Sequence, residues 1–472
     1  MLFLLSMCGL ALTIICGLIV AIGYLFRGYP LVSWRNIFLL GFVQFYALTV
    51  FLAAPMEFPS EFYHPTGEGY ARLLVAMPLF LVVFMLCAKW AMTWEWPNRV
   101  VPQVRLPVTT GGVATAALVL ATFSIASLAL GGGTFGEAVT FFVRTAISTA
   151  SVGLAFYLVM RFPKNPLWWS MFLGLFVFAA ILSVVGSIDR RNFLSVFFVV
   201  PWMWFFYQLR YQRPTRVLSR LAVVASISLV CLIVYNAGRH RVDEGKATFE
   251  KRANQFTQLF QNPDFSARNI VQGLILQDTP LNTLAIMELY PDRYQHIPLH
   301  GLHFYLVNPI PRVIYPSKPV ALGVLLQQQF DIAANLGAGI IGHGWFEAQW
   351  LGIIYYAVFF GCLVSVADKL VLQRLDNPFF VVAVGANLGN VLGLPRGETS
   401  MFLDMITAGF FSCLILYFLA SSTLRPYMLL GRPIPAEDLA PLNVRQQWAT
   451  EHAQDDALID DPGAAAAYAA ER

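Results

Sequence analysis

The side chains with the greatest chemical reach are one carboxylate, two imidazoles and six cations: Glu347, His303 and His343, with Arg144, Arg190, Arg191, Arg312, Lys318 and Arg396. A glutamate or histidine beside a hydroxyl can orient it or take its proton. Arginine offers phosphate oxygens a planar fork of donors, and lysine offers them a point charge. Together these types suit a lipid-linked anionic group. Arg312 and Lys318 lie in a segment stiffened by Pro309, Pro311, Pro316 and Pro319, which restrict the backbone and hold both cations in place.

A metal reading is weaker. His296, His300 and His303 have helix-like spacing, but Pro298 and Gly301 interrupt them and no cysteine or carboxylate triad completes a site. No metal and no cofactor is expected, and one of these histidines reads better as an acid, a base or a sugar contact. The sequence has no Walker lysine loop, H-E-x-x-H, G-x-S-x-G or D-x-D. ATP-driven pumping, zinc proteolysis, serine hydrolysis and metal-dependent nucleotide-sugar transfer therefore lack their usual handles. Nothing points to a nucleic-acid partner.

The elements that must position this set are membrane spans. Of 472 residues, 57% are apolar and 12% charged, with mean hydropathy +0.62; a soluble domain carries about 25% charged residues. Continuous apolar runs near twenty residues recur, as a hydrocarbon core about 30 Å thick requires. They do not alternate, which excludes a β-barrel. The expected fold is an all-α polytopic membrane protein of about eleven helices, at 2–26, 36–54, 71–91, 113–130, 137–160, 167–186, 193–209, 217–235, 348–367, 379–394 and 405–424. This divides the chain into an N-terminal bundle (1–235), one large extracytoplasmic loop (236–347), three C-terminal helices (348–424) and a tail (425–472). The first run lacks a basic flank and a cleavage site and reads as a retained helix. All six cysteines fall in apolar runs, so no disulfide framework is implied.

Short-loop charge sets the orientation. Arg27, Arg35, Arg99, Arg105, Arg161, Lys164, Arg210, Arg213, Arg216, Lys369, Arg374, Arg425 and Arg432 fall on one side, whereas 55–70 and 131–136 hold no Lys or Arg. The N-terminus is thus expected outside, the C-terminus in the cytoplasm and the large loop outside. Arg190, Arg191 and Arg396 break this rule in short outer loops, and Arg144 falls inside a span. Misplaced cations mark a function by default; headgroup anchoring or an Asp189 ion pair is the plainer alternative. Arg72 reads equally as headgroup anchor or functional cation. Trp34, Trp90, Trp94, Trp96, Trp168 and Trp169 read as an interfacial belt. In the large loop, Phe249, Ala253, Phe256 and Phe260 predict an amphipathic surface helix. The apolar runs of 270–290 are short, as in packed or re-entrant helices. The acidic tail reads as disordered.

One resemblance joins these features. The block V-N-P-I-P-R-V-I-Y-P-S-K-P at Val307–Pro319 is followed by Glu347-Ala348-Gln349-Trp350-Leu351-Gly352 entering a span. Together they resemble bacterial oligosaccharide repeat-unit polymerases (Wzy-type O-antigen polymerases). Gly186-Ser187-Ile188-Asp189-Arg190-Arg191-Asn192 and Pro395-Arg396-Gly397-Glu398 are similar to that family's outer-loop elements. The similarity covers roughly 180–410. It implies a metal-independent, inverting glycosyltransferase of the multi-span type, joining undecaprenyl-pyrophosphate-linked oligosaccharides at the outer face of the bacterial inner membrane. A chain-length regulator is a partner of such enzymes. Arg191 and Arg312 would meet the charge of the departing pyrophosphate, with Arg190, Lys318, Arg396 and Arg144 binding substrate. Glu347, His303 or His343 would serve the attacking hydroxyl. A ligase moving finished glycan from the same lipid fits nearly as well. A flippase fits less well, since no internal repeat is visible and the polar residues gather at one face.

Overall fold

Within lipid, every backbone polar group must be satisfied inside its own segment or closed sheet. In the computed structural model the chain meets that condition with helices. The structure describes residues 1–58, 63–101, 106–129, 134–187, 190–239, 277–310, 312–331 and 336–434. Eight long helices come first among the described residues: α1 (Leu2–Arg27), α2 (Trp34–Met56), α3 (Gly67–Ala91), α4 (Thr110–Ala129), α5 (Thr134–Arg161), α6 (Pro166–Ser187), α7 (Arg190–Tyr207) and α8 (Pro214–Arg239). Three short ones follow, α9 (Thr279–Leu289), α10 (His300–Val307) and α11 (Leu322–Phe330). The chain then forms α12 (Gly339–Gln373), α13 (Pro378–Gly385), α14 (Leu388–Gly393) and α15 (Thr399–Thr423). Ten of the described helices are long and apolar enough to cross a membrane. In α8 only 11% of the spanning window is buried by protein, against 78% in α5. So large an apolar surface without a protein partner requires lipid, and the chain is an all-α polytopic membrane protein. The amphipathic helix expected over 243–261 and the tail beyond 434 lie outside the described residues.

Two spans differ from expectation. The run at 379–394 is not one continuous helix but the pair α13–α14, broken at Ala386–Asn387 and buried along its length. The pair still traverses the bundle, from the Tyr207 end of α7, which Asp376 faces, to its Arg191 end, where Gly389 meets the Arg191 carbonyl. Gly385 meets the ring of Trp202, whose Nε1 donates to the Val381 carbonyl at 2.9 Å. Trp34 is also core and not belt: it is 5% exposed and donates to the Val384 carbonyl. Trp90, Trp96 and Trp169 remain exposed, as a belt requires.

The larger departure is α12. The expected span began at 348, yet helix begins at Gly339 and is interrupted at Ala348 (φ −158°, ψ 35°) and Gln349 (φ 51°, ψ −128°). Eight residues of unbroken helix would separate Gly344 from Gly352 by about 12 Å. Instead a Cβ on Gly352 would collide with the Gly344 carbonyl, so the chain folds back on itself. The first limb, 339–347, is buried at every residue. Its leading N–H groups, orphaned in any helix, go from Ile340 to the Pro395 carbonyl at 3.1 Å and from Ile341 to the Tyr46 hydroxyl at 3.2 Å. Tyr46 sits in a π-helical turn of α2, Val43–Ala47, and its hydroxyl lies 3.0 Å from Thr283 Oγ1 on α9. Such turns recur at functional sites. At Gln349 a non-glycine residue with positive φ costs about 1–3 kcal/mol. His296 offsets part of it, with Nε2 3.1 Å from Gln349 Nε2 and Nδ1 3.0 Å from the Phe346 carbonyl.

Candidate functional site

The reversal in α12 creates the site by bringing Tyr356, on the second limb, against the end of the first. Glu347 is 2% exposed, and its Oε1 collects several contacts. Tyr356 donates its hydroxyl at 2.8 Å and Gly301 its backbone N–H at 2.6 Å, while His343 Nε2, one helical turn back, lies 3.2 Å away. The last contact is off the line of a good hydrogen bond, and neither ring nitrogen of His343 has a well-formed one among the described residues. Gly301 is the second residue of α10, so the carboxylate also meets a helix N-terminus. Any Cβ there would strike Tyr356, His343 and Glu347, which is why the position is glycine.

His300, next to Gly301, completes the cluster. It is 5% exposed, edge-on to Phe346, and its Nδ1 has no hydrogen-bond partner among the described residues. Burial pushes its pKa down to about 4, and the neighbouring His343 adds to this, against the opposing pull of Glu347 and the Val320 carbonyl. The folded protein therefore holds His300 neutral, while an unfolded chain protonates it near pH 6.5. Its contribution is fully present above pH ~6.5 and is lost as pH falls toward 4. Melting of the detergent-solubilised protein between pH 7.5 and 4.5 should show a loss of about 1–2 kcal/mol, allowing for solvent screening. His300→Gln should flatten that slope; an unchanged slope would remove His300 as its cause.

The first turns of α15, which precede the span expected at 405–424, form the hub of the surrounding contacts. Asp404 accepts from Asn308 Nδ2 at 2.7 Å. Lys318 in turn donates to the carbonyls of Asn308 and Ile310, at 2.8 and 3.0 Å. Burial, then the Arg312 charge, pushes the Lys318 pKa down. Glu398 accepts from Ser400 Oγ and from the Gly323 amide at the start of α11, and burial raises its pKa. The Arg191 guanidinium lies 4.1 Å from the ring centre of Phe402, whose edge meets Gly393 and Gly397. A cleft of about 20 Å³, lined by Gly301, Tyr305, Tyr355, Tyr356, Ser400 and Leu403, runs between α10, α12 and α15.

The structure thus gathers Glu347 and His343 into one cluster, with Lys318 linked to α15 through Asn308 and Arg191 packed on Phe402 of α15. Arg312 is exposed, with bonds of 3.3–3.5 Å to the carbonyls of Pro316, Lys318 and Pro319. Arg396 packs 5.9 Å from the ring centre of Phe45. Arg144 donates to the Ser127 hydroxyl and carbonyl at 2.8 Å. Arg190 opens α7, and its side chain lies outside what is described. His303 is exposed, so of the histidines on α10 it is His300 that turns inward. Arg72 is held within the protein: it donates to Glu68 and to the Met287 carbonyl, with its guanidinium 5.3 Å from the ring centre of Trp345. Sequence reasoning missed His300 as the inward histidine, and it missed Tyr356, Phe402 and Asp404. Asn308 beside the proline block was the available signal for Asp404, since a buried carboxylate needs a donor.

Fold and site together define a multi-pass membrane protein with a buried acid–base cluster at one end of its bundle. Comparison with protein-family models, with curated proteins and with solved structures finds no match. Among the described residues, no group of three or more His, Cys, Asp or Glu is placed to hold a metal ion.

Proposed function

We propose that this chain is a membrane glycosyltransferase that polymerises lipid-pyrophosphate-linked oligosaccharide repeat units into a surface polysaccharide. One observation carries the reading. The Glu347–Tyr356–His343 cluster bonds the first turn of α10, and the Asn308–Lys318 turn closes its other end against Asp404 of α15, so one short helix links a base to a cation, with Tyr356 lining the cleft between α10, α12 and α15. In this reading an acceptor-sugar hydroxyl approaches Glu347 by way of Tyr356 and gives up its proton as its oxygen attacks the anomeric carbon. The bond from that carbon to the pyrophosphate breaks on the opposite face, through an oxocarbenium-like state. Arg191, Arg312, Lys318 and Arg396 meet the charge that develops on the departing oxygens, and one such donor is worth roughly 3–4 kcal/mol. Arg190 and Arg144 extend the substrate contacts, and exposed His303 touches sugar at the rim. The cleft has room for about one water, so a sugar must displace α10 outward as it binds. The chain would lie in a bacterial inner membrane, N-terminus outside and C-terminus in the cytoplasm, with the site facing outward. A chain-length regulator would be its partner.

The test is a deletion strain examined by glycan electrophoresis. Single repeat units should remain on their acceptor while long chains disappear, and the wild-type gene should restore the ladder. Long chains left on the carrier lipid would instead identify a ligase. An unchanged ladder would refute both.

A further inference from the structure

The opposite end of α7 carries a second polar cluster that the proposed chemistry does not use. Arg191 and Tyr207 are separated by about 24 Å along the helix. Beyond Tyr207 the chain makes a single 3-10 turn, Leu209–Tyr211, beside the end of α5. Gln208 joins the two, donating to the Met160 carbonyl at 3.2 Å. Here Arg161 lies 5.3 Å from the ring centre of Tyr157 and 6.0 Å from that of Tyr207, and Arg210 lies 4.8 Å from that of Tyr211. Four atoms in this cluster are enclosed by protein without a hydrogen-bond partner among the described residues: Arg161 Nε, Arg210 Nη1 and the hydroxyls of Tyr207 and Tyr211. Few native side chains are left this way, and each such group costs about 1–3 kcal/mol. An aromatic face takes up part of a guanidinium's charge, but it leaves the in-plane N–H donors unmet.

We propose that Arg161, Arg210, Tyr207 and Tyr211 bind a phosphate group, most directly the headgroup phosphate of an anionic phospholipid. Four donors on two fixed positive charges match the several acceptor oxygens of a phosphoryl group better than the two of a carboxylate. The surrounding field has the same sign, with Lys164, Arg213, Arg216 and Arg220 in the adjoining turns and helix start. Asp376, exposed beyond the end of α12, is the acid that faces Tyr207. Depth agrees: Trp169 and Trp204 flank these turns, bonded to the Pro163 carbonyl and to Gln208, and tryptophan favours the headgroup level. The site stands independently of the glycosyl-transfer reading, because no residue is shared.

The full-length protein, stripped of lipid in mild detergent, would be titrated with phosphatidylglycerol, with diacylglycerol and with inorganic phosphate, and followed by native mass spectrometry and melting temperature. One phosphatidylglycerol should be retained per chain and raise the melting temperature, while diacylglycerol does neither. Arg161→Gln with Arg210→Gln should weaken retention at least tenfold. Tyr207→Phe or Tyr211→Phe, which leave the packing intact, should each weaken it about threefold. Millimolar phosphate that displaces the lipid from the wild type, or stabilises it alone, would make a soluble phosphate the occupant and keep the chemistry. Equal lipid retention in the wild type and both tyrosine variants, with no phosphate effect, would overturn the proposal whether or not the arginine variant folds. The cluster would then be a cation–aromatic brace.

Discussion

Glu347→Gln is expected to slow glycan extension by about 10²–10⁴-fold, the usual worth of a positioned general base, while protein level in the membrane stays normal. The amide has nearly the shape of the carboxylate and keeps a carbonyl oxygen, so the N–H of Gly301 and the hydroxyl of Tyr356 retain an acceptor where Oε1 now stands. What glutamine cannot do is take a proton from an attacking hydroxyl. Tyr356→Phe keeps the ring against Phe360 and removes only the hydroxyl, so its loss should be smaller, about tenfold. Complementation of the deletion strain, read as a glycan ladder beside a membrane immunoblot, separates the cases. A full ladder from Glu347→Gln would reduce the carboxylate to a cap for α10. A missing band on the immunoblot would mean that the amide had failed to support the fold, and Glu347→Asp would then decide.

Much of the fold was legible in the sequence because lipid imposes a rule that composition obeys. Long continuous apolar runs mark helices whatever surrounds them, and α1 to α8 lie close to their expected limits. The rule fails where an apolar run is buried by protein. Residues 378–393 are as apolar as a span, yet Asn387 breaks them and Trp202 packs on Gly385. The fold-back at Ala348–Gln349 had no local warning. It depends on two glycines eight residues apart that touch only once the chain has turned, and neither is at the turn. The site was half visible for a related reason. Residue types with obvious chemistry, such as Glu347 and His343, announce themselves, but their partners are set by tertiary contact. Tyr356 reads as one more aromatic in a span. His300 and His303 cannot be ranked until α10 is seen to turn the first inward. Arg72 reads equally as a lipid anchor or a functional cation from its position alone, and only the fold brings the Met287 carbonyl and Trp345 to it.

Arg191→Lys should produce the second large loss, about 10²–10³-fold in chain extension, the scale of removing one donor from a developing oxyanion. The seat of Arg191 is specific. Its backbone carbonyl packs where Gly389 has no side chain, its Cδ passes over Gly393, and its guanidinium lies 4.1 Å from the centre of the Phe402 ring. A lysine could follow the same path but would bring a point charge where a planar fork had lain along an aromatic face. Two-point contact with a pyrophosphate would go, while the charge would remain. Arg312 makes the contrast. It is exposed and, among the described residues, held by long bonds to the carbonyls of Pro316, Lys318 and Pro319, which a lysine ammonium can also reach. If Arg312 serves only that turn, Arg312→Lys will restore a full ladder. If it swings out to grip phosphate, Arg312→Lys will fail as Arg191→Lys does. Both variants, with Arg396→Lys, belong in one complementation series with immunoblots. Full ladders from all three would mean that no guanidinium at this end of the bundle grips a leaving pyrophosphate, and Arg191 would then be a packing contact between α7, α14 and α15.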